Sequence, residues 1–259
     1  MKKMISVFLV MIMVLMTTIS TSAASVTVYE IYHMMKYNST NKNYDYYQIP
    51  LYWNNVSGGK CQISVDYNRY LSTTDPQQTA IRGAIANSYM KWNNTGKVSA
   101  TLSGNANVYF SYPTEVFWKN TVQGGNLVAL TVLNDTNGAM IYSSSAAYIS
   151  TGKIRSAMIY FNSDPNKRVH EEDIDKPGYD FTAMSSVNLN KVVVHEMGHA
   201  LCLGHPGVYE SNSKMGTIFY KEFFQDGSMT SIMHQGVVEG IVSGTPTSYD
   251  INCLRIKYQ

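Results

Sequence analysis

Beyond its first two dozen residues the chain has no apolar run long enough to span a bilayer, which needs about 20 apolar residues, so no membrane-spanning helix is expected there. The one marked apolar run, VFLVMIMVLM, is itself too short for a transmembrane helix. It follows Lys2 and Lys3 and precedes the small residues TSAAS, the order of a secretory signal with cleavage after Ala24. Residues 1–24 are therefore expected to be removed and the protein to be secreted, without stable membrane insertion.

An excess of charge of either sign is also lacking. The chain has 20 Lys and Arg against 18 Asp and Glu; loss of Lys2 and Lys3 leaves 18 against 18. No basic stripe or polybasic tail remains, which argues against nucleic acid or an anionic membrane as the main partner. Cysteine is scarce as well: Cys61, Cys202 and Cys253 make an odd set, too few for a disulfide framework. One Cys61–Cys253 bridge with a free Cys202, or three free thiols, both remain open.

What the chain does have is VVVHEMGHALCLGH at 192–205. His195 and His199 are four apart, so on a helix they project from one face and can offer two imidazoles to one metal ion. Glu196 is placed to take a proton beside such an ion without ligating it. His205 follows six residues after His199, beyond Gly204, where the chain can turn back as a third ligand. Three neutral imidazoles leave a fourth position open, which is a catalytic zinc arrangement rather than a closed structural one. Three of the chain's six histidines fall within this stretch, against the reading of scattered residues.

These residues resemble the signature of the metzincin zinc endopeptidases, HExxHxxGxxH followed by a Met-turn. Met233 in SIMHQ stands in the Met-turn position, and the tail TPTSYDINCLRIKY is similar to the last helix of the matrixins. The resemblance implies an α+β fold: a metzincin-like zincin domain whose twisted mixed sheet packs on a long helix and an active-site helix, closed by the Met-turn and a C-terminal helix. It implies one catalytic Zn2+ on His195, His199 and His205, Glu196 as general base, Met233 as a hydrophobic floor, and protein or peptide substrates for a monomeric enzyme. It implies a structural role for Asp250, which would tie the last helix to the Met-turn backbone. The signature is broken once, by Cys202 where the family has a turn glycine; Cys202 as a fourth ligand would close the site. His234 follows Met233, and Gln235 takes the place where astacins carry a tyrosine. A catalytically inactive zinc-binding or adhesive module on the same fold is the alternative reading.

Three segments are expected: the signal at 1–24, an N-terminal stretch or short propeptide at 25–50, and the catalytic domain at 51–259. No cysteine precedes Cys61, and Cys61 sits in the alternating run KCQISVDY, so a cysteine switch is not expected. Asp75 and Pro76 open a helix carrying Ala80, Ile81, Ala84, Ile85, Tyr89 and Trp92 on one face. Strand-like runs cover 105–112, 127–133 and 153–162. By the resemblance, the last of these is expected to be the sheet edge that hydrogen-bonds an extended substrate. The acidic run 163–180 is read as a solvated loop, with Ca2+ as the lesser possibility. Ser185 or Ser186 caps the zinc helix, Thr247–Asp250 forms a capping box, and Phe219, Tyr220, Phe223 and Phe224 are pocket or packing residues.

Overall fold

The computed structural model describes residues 33–38, 43–48, 52–53, 55–122, 127–136, 138, 153–164, 181–182, 184–205, 207–212, 217–222, 231–233 and 244–258. The signal segment, most of the acidic run, Phe223, Phe224, His234 and Gln235 lie outside these residues.

The main sheet is built from β5 (Lys60–Asp66), β6 (Val98–Leu102), β7 (Val108–Ser111), β8 (Ala129–Asp135) and β9 (Lys153–Phe161). Their order is β6-β5-β7-β9-β8; the first four run parallel and β8 runs antiparallel to β9. Two short strands, β3 (Tyr52–Trp53) and β4 (Val56–Ser57), pair with the starts of β9 and β5. Alternation makes these strands: Cys61, Ile63 and Val65 of β5 are buried while their neighbours are not, and Ala129, Thr131 and Leu133 of β8 repeat the pattern.

The 153–162 run forms β9, but β9 is not the edge. It is flanked by β7 and β8, and the antiparallel edge is β8. The reason is burial on both faces. Ile154, Ala157, Ile159 and Phe161 enter the main core, whereas Tyr160 packs with Trp118 and Val122, from the short helical turn at Glu115–Val122, on the other face.

Helix α1 (Pro76–Ser88) starts as its sequence predicts, with the Asp75 side chain accepting from the Gln78 N–H at 2.9 Å. It ends earlier than its apolar spacing implies, and Trp92 falls on a 3-10 turn, Lys91–Thr95. Helix α2 (Ser186–Ala200) is capped by Ser185 and packs against α1, β8 and β9. Helix α3 (Ser248–Lys257) begins at Thr247, whose N–H and hydroxyl both donate to Asp250. Two hairpins stand as separate sheets: β1 (His33–Asn38) with β2 (Asn43–Gln48), and β10 (Gly207–Asn212) with β11 (Thr217–Glu222). The first falls in the 25–50 stretch. The second lies between His205 and Met233 and carries Phe219 and Tyr220.

The fold is thus α+β, with a mixed sheet under helices and the three histidines of 195–205 gathered at the end of α2. All three cysteines are buried and free, so no Cys61–Cys253 bridge forms.

Candidate metal centre

The site is organised by where α2 stops. Cys202 takes a left-handed φ of 66°. Its N–H donates to the His199 carbonyl at 2.8 Å, and the Leu203 N–H donates to the Gly198 carbonyl at 3.0 Å. This pair of bonds is a Schellman motif with Cys202 at the position glycine usually fills. A side chain in that conformation costs about 1–2 kcal/mol, and two long-range contacts hold the turn regardless. The Trp53 indole donates to the Ala200 carbonyl at 2.7 Å and the Tyr258 hydroxyl to the Leu201 carbonyl at 3.0 Å. Both acceptors belong to the end of α2, where carbonyls lack helical partners.

The turn returns His205 to the helix. The Nε2 atoms of His195, His199 and His205 lie 3.1–3.2 Å from one another. The tautomers of two rings are set by their other nitrogens. His195 Nδ1 faces the Ile232 carbonyl at 2.8 Å and His199 Nδ1 faces the Leu203 carbonyl at 2.7 Å, and a carbonyl can only accept. The proton of each ring is therefore on Nδ1, and bare Nε2 lone pairs point at each other across 3.1 Å. Such an arrangement is repulsive without a cation. A point about 2.0–2.1 Å from all three nitrogens, the usual zinc–imidazole distance, exists just off their plane. The three histidines are thus spaced to hold a metal ion. Burial also pushes the His199 imidazole down to about 4, which keeps it in the neutral, ligating form.

Cys202 does not join them. Its fully buried thiol lies by the Tyr258 hydroxyl, pushed up to about 12 mainly by burial, and the metal-competent group among the described residues contains histidines only.

Beneath the site, Met233 is fully buried and packs against Gly198. A Cβ at Gly198 would run into the Met233 sulfur and come within 2.9 Å of Trp92, so glycine is required there by contact rather than by φ. The Met233 segment is tied down by Asp250, whose carboxylate accepts from the Ser231 hydroxyl at 2.5 Å and the Ile232 N–H at 3.2 Å. The same carboxylate caps α3. Asp250 therefore links α3 to the carbonyl that orients His195.

Glu196 sits one residue after His195 with its carboxyl buried toward β8. Burial pushes its pKa up to about 7, opposed by a hydrogen bond from Thr131. The Thr131 hydroxyl is 2.6 Å from Glu196 Oε2 and 3.0 Å from the Glu196 carbonyl. It can donate to the ionised carboxylate, or accept from the protonated one while donating to the carbonyl. Both protonation states of the carboxyl are thereby accommodated. Sequence reading missed Thr131. The signal available was one hydroxyl on a strand face otherwise made of Ala129 and Leu133.

No protein-family model matches the chain, and no curated protein sequence matches it significantly.

Proposed function

We propose that this chain is an exported zinc-dependent endopeptidase of the metzincin kind, matrixin-like, acting on extended polypeptides. The observation that carries the proposal is the convergence of three imidazole Nε2 atoms, two of them necessarily bare, beside a buried carboxyl that is not part of the ligand set. A purely structural site has no use for such a carboxyl. Zinc bound there would supply a Lewis acid that polarises a peptide carbonyl and acidifies a water molecule.

The remaining steps fall to the chain's own groups. Glu196, whose carboxyl is held in place by Thr131, takes the proton of the attacking water and returns it to the leaving amine. Edge strand β8, antiparallel to β9, has a second side that no described strand covers, so an extended peptide can add there by main-chain hydrogen bonds. Strand addition reads backbone rather than chain ends and suits cleavage within a chain. His195 and His199 are fixed by the Ile232 and Leu203 carbonyls, which keeps both imidazoles aimed at one point.

The test uses residues 25–259 with unfolded casein or a peptide library, beside Glu196→Ala and a chelated sample. Cleavage should appear in the wild type, fall by roughly 10²–10⁴ in Glu196→Ala with the metal still bound, and vanish on chelation. Equal cleavage by Glu196→Ala would refute the assignment, and bound metal without cleavage by any form would favour a binding module.

A further inference from the structure

We propose that Thr131 is the positioning residue for Glu196, holding the base through its side chain while its main chain faces the strand edge that receives substrate. This rests on the hydrolytic reading above and adds a residue that the zinc motif does not contain.

The edge assignment follows from two hydrogen bonds. The Asn162 N–H donates to the Val128 carbonyl at 2.9 Å, so Val128 directs its main chain at β9. On the other side of β9, the Ala157 N–H donates to the Asn107 carbonyl at 2.8 Å, so Ala157 faces β7 and its neighbour Met158 faces β8. Main-chain direction alternates along an antiparallel strand. With Met158 opposite Val132 and Tyr160 opposite Leu130, the residues bonded to β9 are Val128, Leu130 and Val132. Ala129, Thr131 and Leu133 then turn their N–H and C=O groups to the edge that no described strand covers, where the Thr131 N–H also acts on the Glu196 carboxyl.

The same three residues put their side chains into the interior, where α2 lies. Two are apolar. Thr131 is not, and its hydroxyl meets Glu196 Oε2 at 2.6 Å with both residues buried. Valine would fill nearly the same volume, so packing does not call for the hydroxyl. With Oε2 held from β8, the carboxylate has one preferred rotation and Oε1 is left to face the reacting water. A peptide paired to Thr131 would be set relative to that oxygen through a single residue.

The experiment compares Thr131→Val and Thr131→Ser in the exported chain by kcat, KM, bound metal and the carboxyl carbon resonance of Glu196 in the metal-free protein. Thr131→Val should lower kcat about 10- to 100-fold, as misplaced catalytic groups do, with KM and metal content within about twofold. Thr131→Ser should restore most of the loss. The Glu196 resonance should move in the valine variant and return in the serine variant. Unchanged kcat in Thr131→Val, a serine variant as slow as the valine one, or a change confined to KM would each overturn the proposal. The resonance separates the two levels of argument. If it moves as expected while no form cleaves peptides, the hydrolytic reading has failed and the catalytic role falls with it, but the hydrogen bond stands; if it does not move, the bond itself is refuted.

Discussion

Glu196 is a residue whose placement works against the stability of the metal-free fold. Its carboxyl, ordinarily near 4.5, is held at about 7 because burial disfavours the charge more than the Thr131 hydroxyl and main-chain N–H favour it. The folded state therefore keeps a proton that the unfolded chain releases. Stability contributed by this group is full below about 4.5, declines as pH rises, and above about 7 reaches a deficit of up to about 3 kcal/mol. A neutral amide of the same shape avoids that deficit. Metal-free Glu196→Gln should accordingly be more stable than metal-free wild type at pH 8, with the difference closing toward pH 5. Urea unfolding at the two pH values measures this. A gap that ignored pH would show that desolvation of the carboxylate is not its source.

At the scale of the element, α2 shows what local pattern carries and what it does not. The i, i+4 histidines, the Ser185 cap and the apolar positions Val192, Val193, Met197, Ala200 and Leu201 all lie in one continuous helical stretch, and each was readable in the sequence. The groups that close the end of the helix were not, because Trp53 reaches Ala200 across 147 residues and Thr131 reaches Glu196 across 65. Strand order was hidden for the same reason: alternation identifies a strand but not its neighbours, so β9 was assigned the edge that β8 occupies. The break in the motif at Cys202 is resolved at this scale too. The turn keeps its left-handed geometry, and the long-range caps from Trp53 and Tyr258 hold it there. Cys202→Gly removes the conformational cost but also a buried side chain, two terms of similar size, and should change stability by less than about 1 kcal/mol. Cys202→Val puts a branched side chain where φ is positive and space is closed, and should destabilise by roughly 2–4 kcal/mol. Thermal melts of the pair test the ranking; equal effects would mean that φ is not the controlling variable.

For the whole molecule, the three-histidine site is where four parts of the chain are made interdependent: α2, the turn to His205, the Met233 segment and α3. His195 is oriented by the Ile232 carbonyl, Ile232 is held by Asp250 through its N–H, and Asp250 is held in turn by the cap of α3. A metal ion that binds only the folded chain stabilises it in proportion to its affinity, by about 4 kcal/mol at a thousandfold excess over Kd. Chelation should therefore lower the melting temperature of the wild type. Asp250→Ala leaves the donors of Ser231, Ile232 and Thr247 without their buried acceptor, although none of these residues touches the three Nε2 atoms. It should weaken metal binding about 10- to 100-fold, as loss of an outer support does, equivalent to about 1.4–2.7 kcal/mol. The melting temperatures of the variant with and without chelator should thus lie closer together than those of the wild type. If the variant lost stability but kept the full metal-dependent difference, α3 would be a lid on the core with no part in shaping the site. If the difference shrank, the C-terminal helix would be a working part of the metal centre, acting through one carboxylate.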